Sequence, residues 1–330
     1  MPEIKSVENR IFNISSHDDF NETALELFHF QYKNNRVYRQ FVNFLKTRVS
    51  QINHYSQIPT LPVEFFKNHR VTSGSFNPEM IFTSSGTSGM QSSKHYVKNV
   101  ELYESAFTRT FELFFGSPED YIIIALLPSY LERHGSSLVY MADKLIGLSS
   151  RAESGFYLHD YKELNSLLRS LKKQKQKVML LGVTYALLDL AEQYPTHFPE
   201  MKLMETGGMK GRRKELVHDE LHNILKNAFG VQQIYSEYGM TELLSQAYSI
   251  GEGIFSTPPW MKILIRDVND PLSILPSGKT GGINIIDLAN IYSCSFIATQ
   301  DLGKIYSHDR FEILGRYDNS DVRGCNLMVG

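Results

Sequence analysis

The residues best suited to chemistry fall into three short clusters. The first, Thr83-Ser84-Ser85-Gly86-Thr87-Ser88-Gly89, runs on into Met90-Gln91-Ser92-Ser93-Lys94 directly after the strand-like run Glu79-Met80-Ile81-Phe82-Thr83. Glycine lets a backbone turn sharply and present N–H groups to an anion, and hydroxyls add further donors. Ser84, Ser85, Gly86, Thr87, Ser88 and Gly89 are therefore candidate phosphate contacts, with Lys94 as a candidate point charge. This is not the Walker pattern, which needs Gly-Lys-Ser/Thr at fixed spacing and a following helix. Taken alone, it reads equally well as a Ser/Gly surface loop. The second cluster is Tyr235-Ser236-Glu237-Tyr238-Gly239-Met240-Thr241-Glu242. An aromatic ring beside a glycine can stack on a purine. A hydroxyl and a carboxylate one step apart, Thr241 and Glu242, suit an α-phosphate and a Mg²⁺ ion, because hard cations take oxygen ligands. The competing reading is a strand end with a core tyrosine and a solvated glutamate. In the third cluster, Glu205-Thr206-Gly207-Gly208-Met209-Lys210, the pair Gly207-Gly208 would let backbone approach a flat base, although such pairs are common in turns.

The elements that must position these clusters are legible in part. Residues 20–45, FNETALELFHFQYKNNRVYRQFVNFL, set Leu25, Phe28, Tyr32 and Val37 at helix-like spacing, with Asn21 as the expected cap. Ile58-Pro59-Thr60-Leu61-Pro62 reads as an extended surface segment that ends helical structure. Tyr121–Leu126 and Val178–Gly182 are apolar runs expected to be buried strands, the second followed by a helix through Ala186 and Leu190. Buried runs separated by helices argue for a mostly parallel sheet covered on both faces. After about residue 255, Met261–Arg266 and Gly282–Asp287 read as strands joined by turns such as Pro276-Ser277-Gly278. A β-rich subdomain beside the α/β part is expected there.

Bulk properties exclude several classes. At 330 residues, 42% hydrophobic and 21% charged, the chain has the balance of a globular protein with a large core. Lys plus Arg number 34 against 36 acidic residues, so no global field is available to hold nucleic acid or an anionic membrane. Two cysteines, Cys294 and Cys325, make no disulfide framework, and no run of about 18 apolar residues suggests a membrane span. A cytoplasmic protein is expected.

In chain order the clusters resemble the adenylate-forming superfamily of acyl-CoA synthetases, luciferases and peptide-synthetase adenylation domains. Residues 84–89 resemble its phosphate motif, and Tyr238-Gly239-Met240-Thr241-Glu242 matches Tyr-Gly-x-Thr-Glu. Asp301-Leu302-Gly303 resembles the Asp that holds the ribose hydroxyls, and Gly315-Arg316-Tyr317-Asp318 the hinge motif Gly-Arg-x-Asp. Within the superfamily the chain is similar to the LuxE-type acyl-protein synthetases, the fatty-acid-activating components of bacterial bioluminescence fatty acid reductases. Leu61–Lys67, Leu127–Arg133, Glu205–Arg212 and Asp321-Val322-Arg323-Gly324-Cys325 carry that likeness. Phenylacetate-CoA-ligase-like proteins are near neighbours.

The resemblance implies an α/β fold, the large N-terminal domain of an adenylate-forming enzyme, over residues 1–318. Its β-rich subdomain would cover about 256–315, with a tail at 319–330 and the mobile C-terminal domain absent. It implies ATP and Mg²⁺ as cofactors, a carboxylic acid as substrate, and an acyl-CoA reductase or thiol acyl acceptor as partner. Glu242 would hold the metal, Thr241 the α-phosphate, and Ser84, Ser85, Thr87 and Ser88 the outer phosphates. The catalytic lysine of the missing domain has no counterpart; Lys94, Arg316 or a partner chain are the alternatives for its charge. LuxE-type proteins pass the acyl group to a cysteine near the C-terminus, and Cys325 is the matching residue here. Seven residues beyond Asp318, an extended tail could carry its sulfur roughly 23–25 Å, and Arg323 would favour the thiolate. A small apolar side chain packing a strand is the competing reading. Cys294 reads as core. His134 stands between a base or acyl-pocket role and an ordinary loop histidine. His17-Asp18 and His218-Asp219 show no metal-ligand spacing with other His or Cys residues, so no zinc site is expected. Three functions remain open: an acyl-protein synthetase, an acid–CoA ligase or acyltransferase, and a non-catalytic nucleotide-binding scaffold.

Overall fold

A computed structural model describes residues 2–84, 91–127, 135–158, 160–207, 218–306 and 310–316. Its helices are α1 (Pro2–Arg10), α2 (His17–Asn34), α3 (Arg36–Phe44), α4 (Phe65–Asn68), α5 (Val100–Phe115), α6 (Ser137–Ser149), α7 (Tyr161–Lys173), α8 (Thr184–Gln193) and α9 (His218–Phe229). The strands before residue 240 are β1 (Leu61–Pro62), β2 (Met80–Thr83), β3 (Lys94–Val97), β4 (Ile122–Leu126), β5 (Gly155–Phe156), β6 (Val178–Gly182), β7 (Lys202–Glu205) and β8 (Ile234–Tyr238). Those after it are β9 (Ala247–Ser249), β10 (Ile254–Ser256), β11 (Met261–Arg266), β12 (Thr280–Asp287), β13 (Phe296–Ile305) and β14 (Arg310–Arg316).

The sheet changes character at β8. In the order β5-β4-β6-β7-β8 every pair is parallel. Every residue of β4 and β6 is buried, as continuous apolar runs require when helices cover both faces. From β8 the sheet continues antiparallel through β9, β10, β14, β13, β12 and β11. The strands expected at 121–126, 178–182, 261–266 and 282–287 are all present, the first beginning at Ile122, and so is the α/β architecture.

Two local expectations are corrected. The helix expected over 20–45 with Asn21 as cap is two helices. Ser16 caps α2, its hydroxyl accepting from the Asp19 N–H at 3.0 Å, with Asp18 and Asp19 in the positive first turn. Asn35 interrupts the run because its side chain accepts from Tyr38 N–H and so begins α3, while its amide donates to Ser293 O. The segment at 58–62 is not superficial: Ile58 and Leu61 are buried and the rest half-buried, and Leu61 pairs with Ile297 as β1 adds in parallel to β13.

Helix α2 also fixes the far end of the chain. Gln31, fully buried, donates to Asn290 O, Ile291 O and Ser295 Oγ and accepts from Ser295 N–H. One amide side chain thereby satisfies four groups of the turn after β12, which a buried turn needs. That turn supports the site.

Candidate active site

Ligands in open α/β sheets bind beyond the carboxyl ends of parallel strands, and β7 and β8 end there on Glu205 and Tyr238. Tyr238 donates its hydroxyl to Asp301 Oδ2 at 2.7 Å. Arg316 Nε lies 3.3 Å from the other oxygen, Asp301 Oδ1, because Asp301 and Arg316 face each other in the β13–β14 ladder. Burial, then the Asp301 charge, lifts the Tyr238 phenol well above its ordinary pKa, so it stays a donor. Phe255 and Phe311 pack edge-on against its ring. Gly239 lies close beside it: a Cβ there would stand 2.4 Å from Glu237 Oε1, which would have to move. Gly207, at φ +69°, turns the chain out of β7 in the left-handed region that favours glycine, and its N–H donates to Glu205 Oε2 at 2.7 Å.

The loop after β8 is held by a buried polar frame. Glu242, 5% exposed, accepts a short hydrogen bond from the Ser93 hydroxyl. Asn290 holds the Glu242 carbonyl at 2.7 Å, and the imidazole of His95 donates from Nδ1 to the Thr241 carbonyl at 2.8 Å. His95 Nε2 lies 3.1 Å from Asn290 Oδ1. Burial lowers the His95 pKa to about 4, against the pull of these hydrogen bonds. Burial raises the Glu242 pKa, opposed by the Ser93 hydroxyl, the backbone and the charges of Arg316 and Lys67. Arg316 thus acts on both Asp301 and Glu242, linking the two halves of the corner. Nine residues earlier, Ser84 Oγ accepts from Ser93 N–H at 2.9 Å, tying the start of the Ser/Gly stretch to the residue that grips Glu242.

The structure therefore brings Thr241, Glu242, Tyr238, Gly239, Asp301 and Arg316 into one corner, with Ser84 at its margin. Lys94 is exposed and, by strand alternation, points to the face opposite Ser93 and His95. Ser85, Gly86, Thr87, Ser88, Gly89, Gly208 and Cys325 lie outside the described residues, as do His134, Arg323 and Asp318. Cys294 is fully buried, and burial pushes its thiol pKa up to about 12, which keeps it inert. Sequence reasoning missed Ser93, His95 and Asn290. Ser93 was visible within the Ser/Gly stretch, but nothing short of the fold pairs it with Glu242.

Chemically, the corner offers a neutral phenol, a carboxylate shared between phenol and guanidinium, and a second, desolvated carboxylate. Among the described residues no lysine or arginine pairs directly with Glu242, so its oxygen donors fit a hard divalent cation.

Solved structures share this architecture. ATP-bound MatB from Rhodopseudomonas palustris aligns at 19% identity and a TM-score of 0.52, over 72% of this chain and 47% of that one. An open conformation of 2-hydroxyisobutyryl-CoA ligase, in complex with 2-HIB-AMP and CoA, aligns at 12% identity and a TM-score of 0.65, over 92% of this chain and 70% of that one. The chain thus spans about half the length of the MatB chain. At these identities the likeness defines the fold, that of the large domain of adenylate-forming enzymes. No curated protein matches the sequence. The model of the LuxE acyl-protein synthetase family matches residues 8–330, and the chain belongs to that family. Among the described residues no helix is long and apolar enough to cross a membrane.

Proposed function

We propose that the protein activates a carboxylic acid with ATP and passes the acyl group to a thiol. A carboxylate is a poor electrophile, since its leaving group would be oxide. In the first step a carboxylate oxygen attacks the α-phosphorus, the bond to the bridging oxygen breaks, and pyrophosphate leaves with its electron pair, giving acyl-AMP. Asp301 would take the ribose hydroxyls, with Tyr238 and Arg316 fixing its two oxygens. Thr241 would donate to the α-phosphate, and the Ser/Gly stretch from Ser84 to Gly89 would grip the outer phosphates. Glu242 would hold Mg²⁺, which when bound neutralises charge on the phosphates. The Arg316 guanidinium, 3.3 Å from Asp301 Oδ1, is a described cation at this corner.

In the second step a thiolate attacks the acyl carbon and AMP departs. Cys325 is our candidate for that thiol and a fatty acid for the acid, both on the family likeness. The observation that supports the first step is the convergence on one corner of two regions far apart in sequence: β8 with its loop, and the paired strands β13 and β14. Acid-dependent exchange of labelled pyrophosphate into ATP tests it, run across acids of different chain length. Exchange above background is expected with at least one acid, and an Asp301→Ala chain should lose it about 10²–10³-fold, in line with removing one preorganised polar contact to a reacting group. No exchange with any acid would leave only the scaffold reading. Labelling by a radioactive acid that is sensitive to hydroxylamine and vanishes in Cys325→Ser would assign the acceptor. Undiminished labelling in that variant would move the transfer to CoA or a carrier thiol.

A further inference from the structure

At the end of β7, a second cluster of donor side chains has no role in the proposed reaction. Glu205 ends the strand, 8% exposed. His218 and His222 sit one turn apart at the start of α9, their ring centroids 3.8 Å from each other. One nitrogen of each ring and a carboxylate oxygen of Glu205 lie within 4.8 Å of one another. The expectation that His218 has no metal-ligand spacing with another histidine is corrected: His222 stands four residues on, one helical turn away, and the third group comes from a strand.

Three observations point to a bound ion. First, the Nε2 atoms of His218 and His222 are both buried and have no hydrogen-bond partner among the described residues, and His222 is only 4% exposed. A buried imidazole nitrogen without a partner forfeits its hydration, so native structures rarely leave two together without a reason such as an ion. Second, Glu205 is already oriented from behind: its Oε2 accepts from the Thr184 hydroxyl at 3.2 Å and from Gly207 N–H at 2.7 Å. Hydrogen bonds of that kind hold a ligating carboxylate in place. Third, Gly253 leaves room for the His218 ring, since a Cβ there would stand 2.7 Å from its Cε1.

We infer that Glu205, His218 and His222 form a binding site for a transition-metal dication of the Zn²⁺ type. Two imidazoles and a carboxylate are a borderline-soft donor set that suits such an ion and is a poor match for Mg²⁺, which demands an all-oxygen octahedron. A tetrahedral ion with bonds of about 2.0–2.1 Å holds its ligand atoms about 3.3 Å apart. The cluster therefore closes on the ion by drawing side chains in by about 1.5 Å at most, which χ rotation supplies. The fourth position is open to water or to a further side chain. An ion there ties the last residue of β7 to the first turn of α9.

The test is titration of the EDTA-stripped full chain with Co²⁺, whose visible absorption reports nitrogen and oxygen ligation, with Zn²⁺ as competitor. One Co²⁺ per chain is expected, displaced by Zn²⁺ but not by millimolar Mg²⁺. His218→Ala and His222→Gln should each weaken binding at least 100-fold, and His17→Ala should leave it unchanged. Hydrogen exchange on the unmutated chain gives a reading that does not depend on how the variants fold: Zn²⁺ should slow amides in β7 and the first turns of α9. Absence of a stoichiometric cobalt band, full binding by folded His222→Gln, or Zn²⁺ protection confined to other segments would each overturn the site.

Discussion

Asp287 and Glu242 are both buried carboxylates beside the same loop, yet their surroundings differ. Asp287, at the end of β12, accepts from Leu244 N–H, Ser245 N–H, the Ser245 hydroxyl and Ala289 N–H at 2.7–3.1 Å. The Ser245 hydroxyl oxygen also accepts from Trp260 Nε1 at 3.0 Å. Burial raises the Asp287 pKa, and these hydrogen bonds pull it back. Glu242 accepts from one serine hydroxyl and from its own backbone. A saturated carboxylate organises the chain around it. One left short of donors in a dry corner retains acceptor capacity for something that arrives. On this contrast Asp287 belongs to the scaffold and Glu242 to the proposed chemistry.

The contrast breaks if the two carboxylates respond alike to mutation. Asp287→Ala orphans four donors at once, and buried hydrogen bonds to a charged group contribute about 1.5–3 kcal/mol each without adding fully. A stability loss of about 3–5 kcal/mol is expected in urea unfolding, with the loop after β8 released and activity lost only because the loop moves. The frame around the loop can also be probed by pH. With its pKa lowered from 6.5 to about 4, folded His95 resists a proton that the unfolded chain accepts, so stability falls as pH drops below about 6.5. Its share should be about 2 kcal/mol by pH 5, approaching about 3 kcal/mol near pH 4. His95→Gln, which keeps a donor for the Thr241 carbonyl, should flatten that part of the profile; an unaltered profile would free His95 from this role. The smallest stability effect belongs to Glu242→Gln. The amide still accepts from Ser93, so unfolding should shift by less than about 1 kcal/mol, while pyrophosphate exchange falls about 10²–10³-fold. A variant that unfolds easily yet exchanges normally would reverse the assignment.

How much of this could be read from the chain depends on the range of the interactions. Val178–Gly182 declares a buried strand through five adjacent residues, and the Thr241-Glu242 pair keeps its spacing in any fold. The loop residues that act at one point were legible for the same reason, because their chemistry is local. The break at Asn35 was not, since one side chain's competition for Tyr38 N–H outweighs a helical pattern otherwise unbroken.

Sequence alone determined the alternation of buried strands and helices, the family, and the residue types proposed to face a nucleotide, all of which follow from short-range order and composition. Only the tertiary structure decided that Ser93 meets Glu242 across 149 positions, that Tyr238 meets Asp301 across 63, and that Glu205 joins two histidines. It also turned Lys94 to the other face of its strand. Those pairings arise from sheet order and strand register. Register is set by burial of whole faces, which no local spacing encodes.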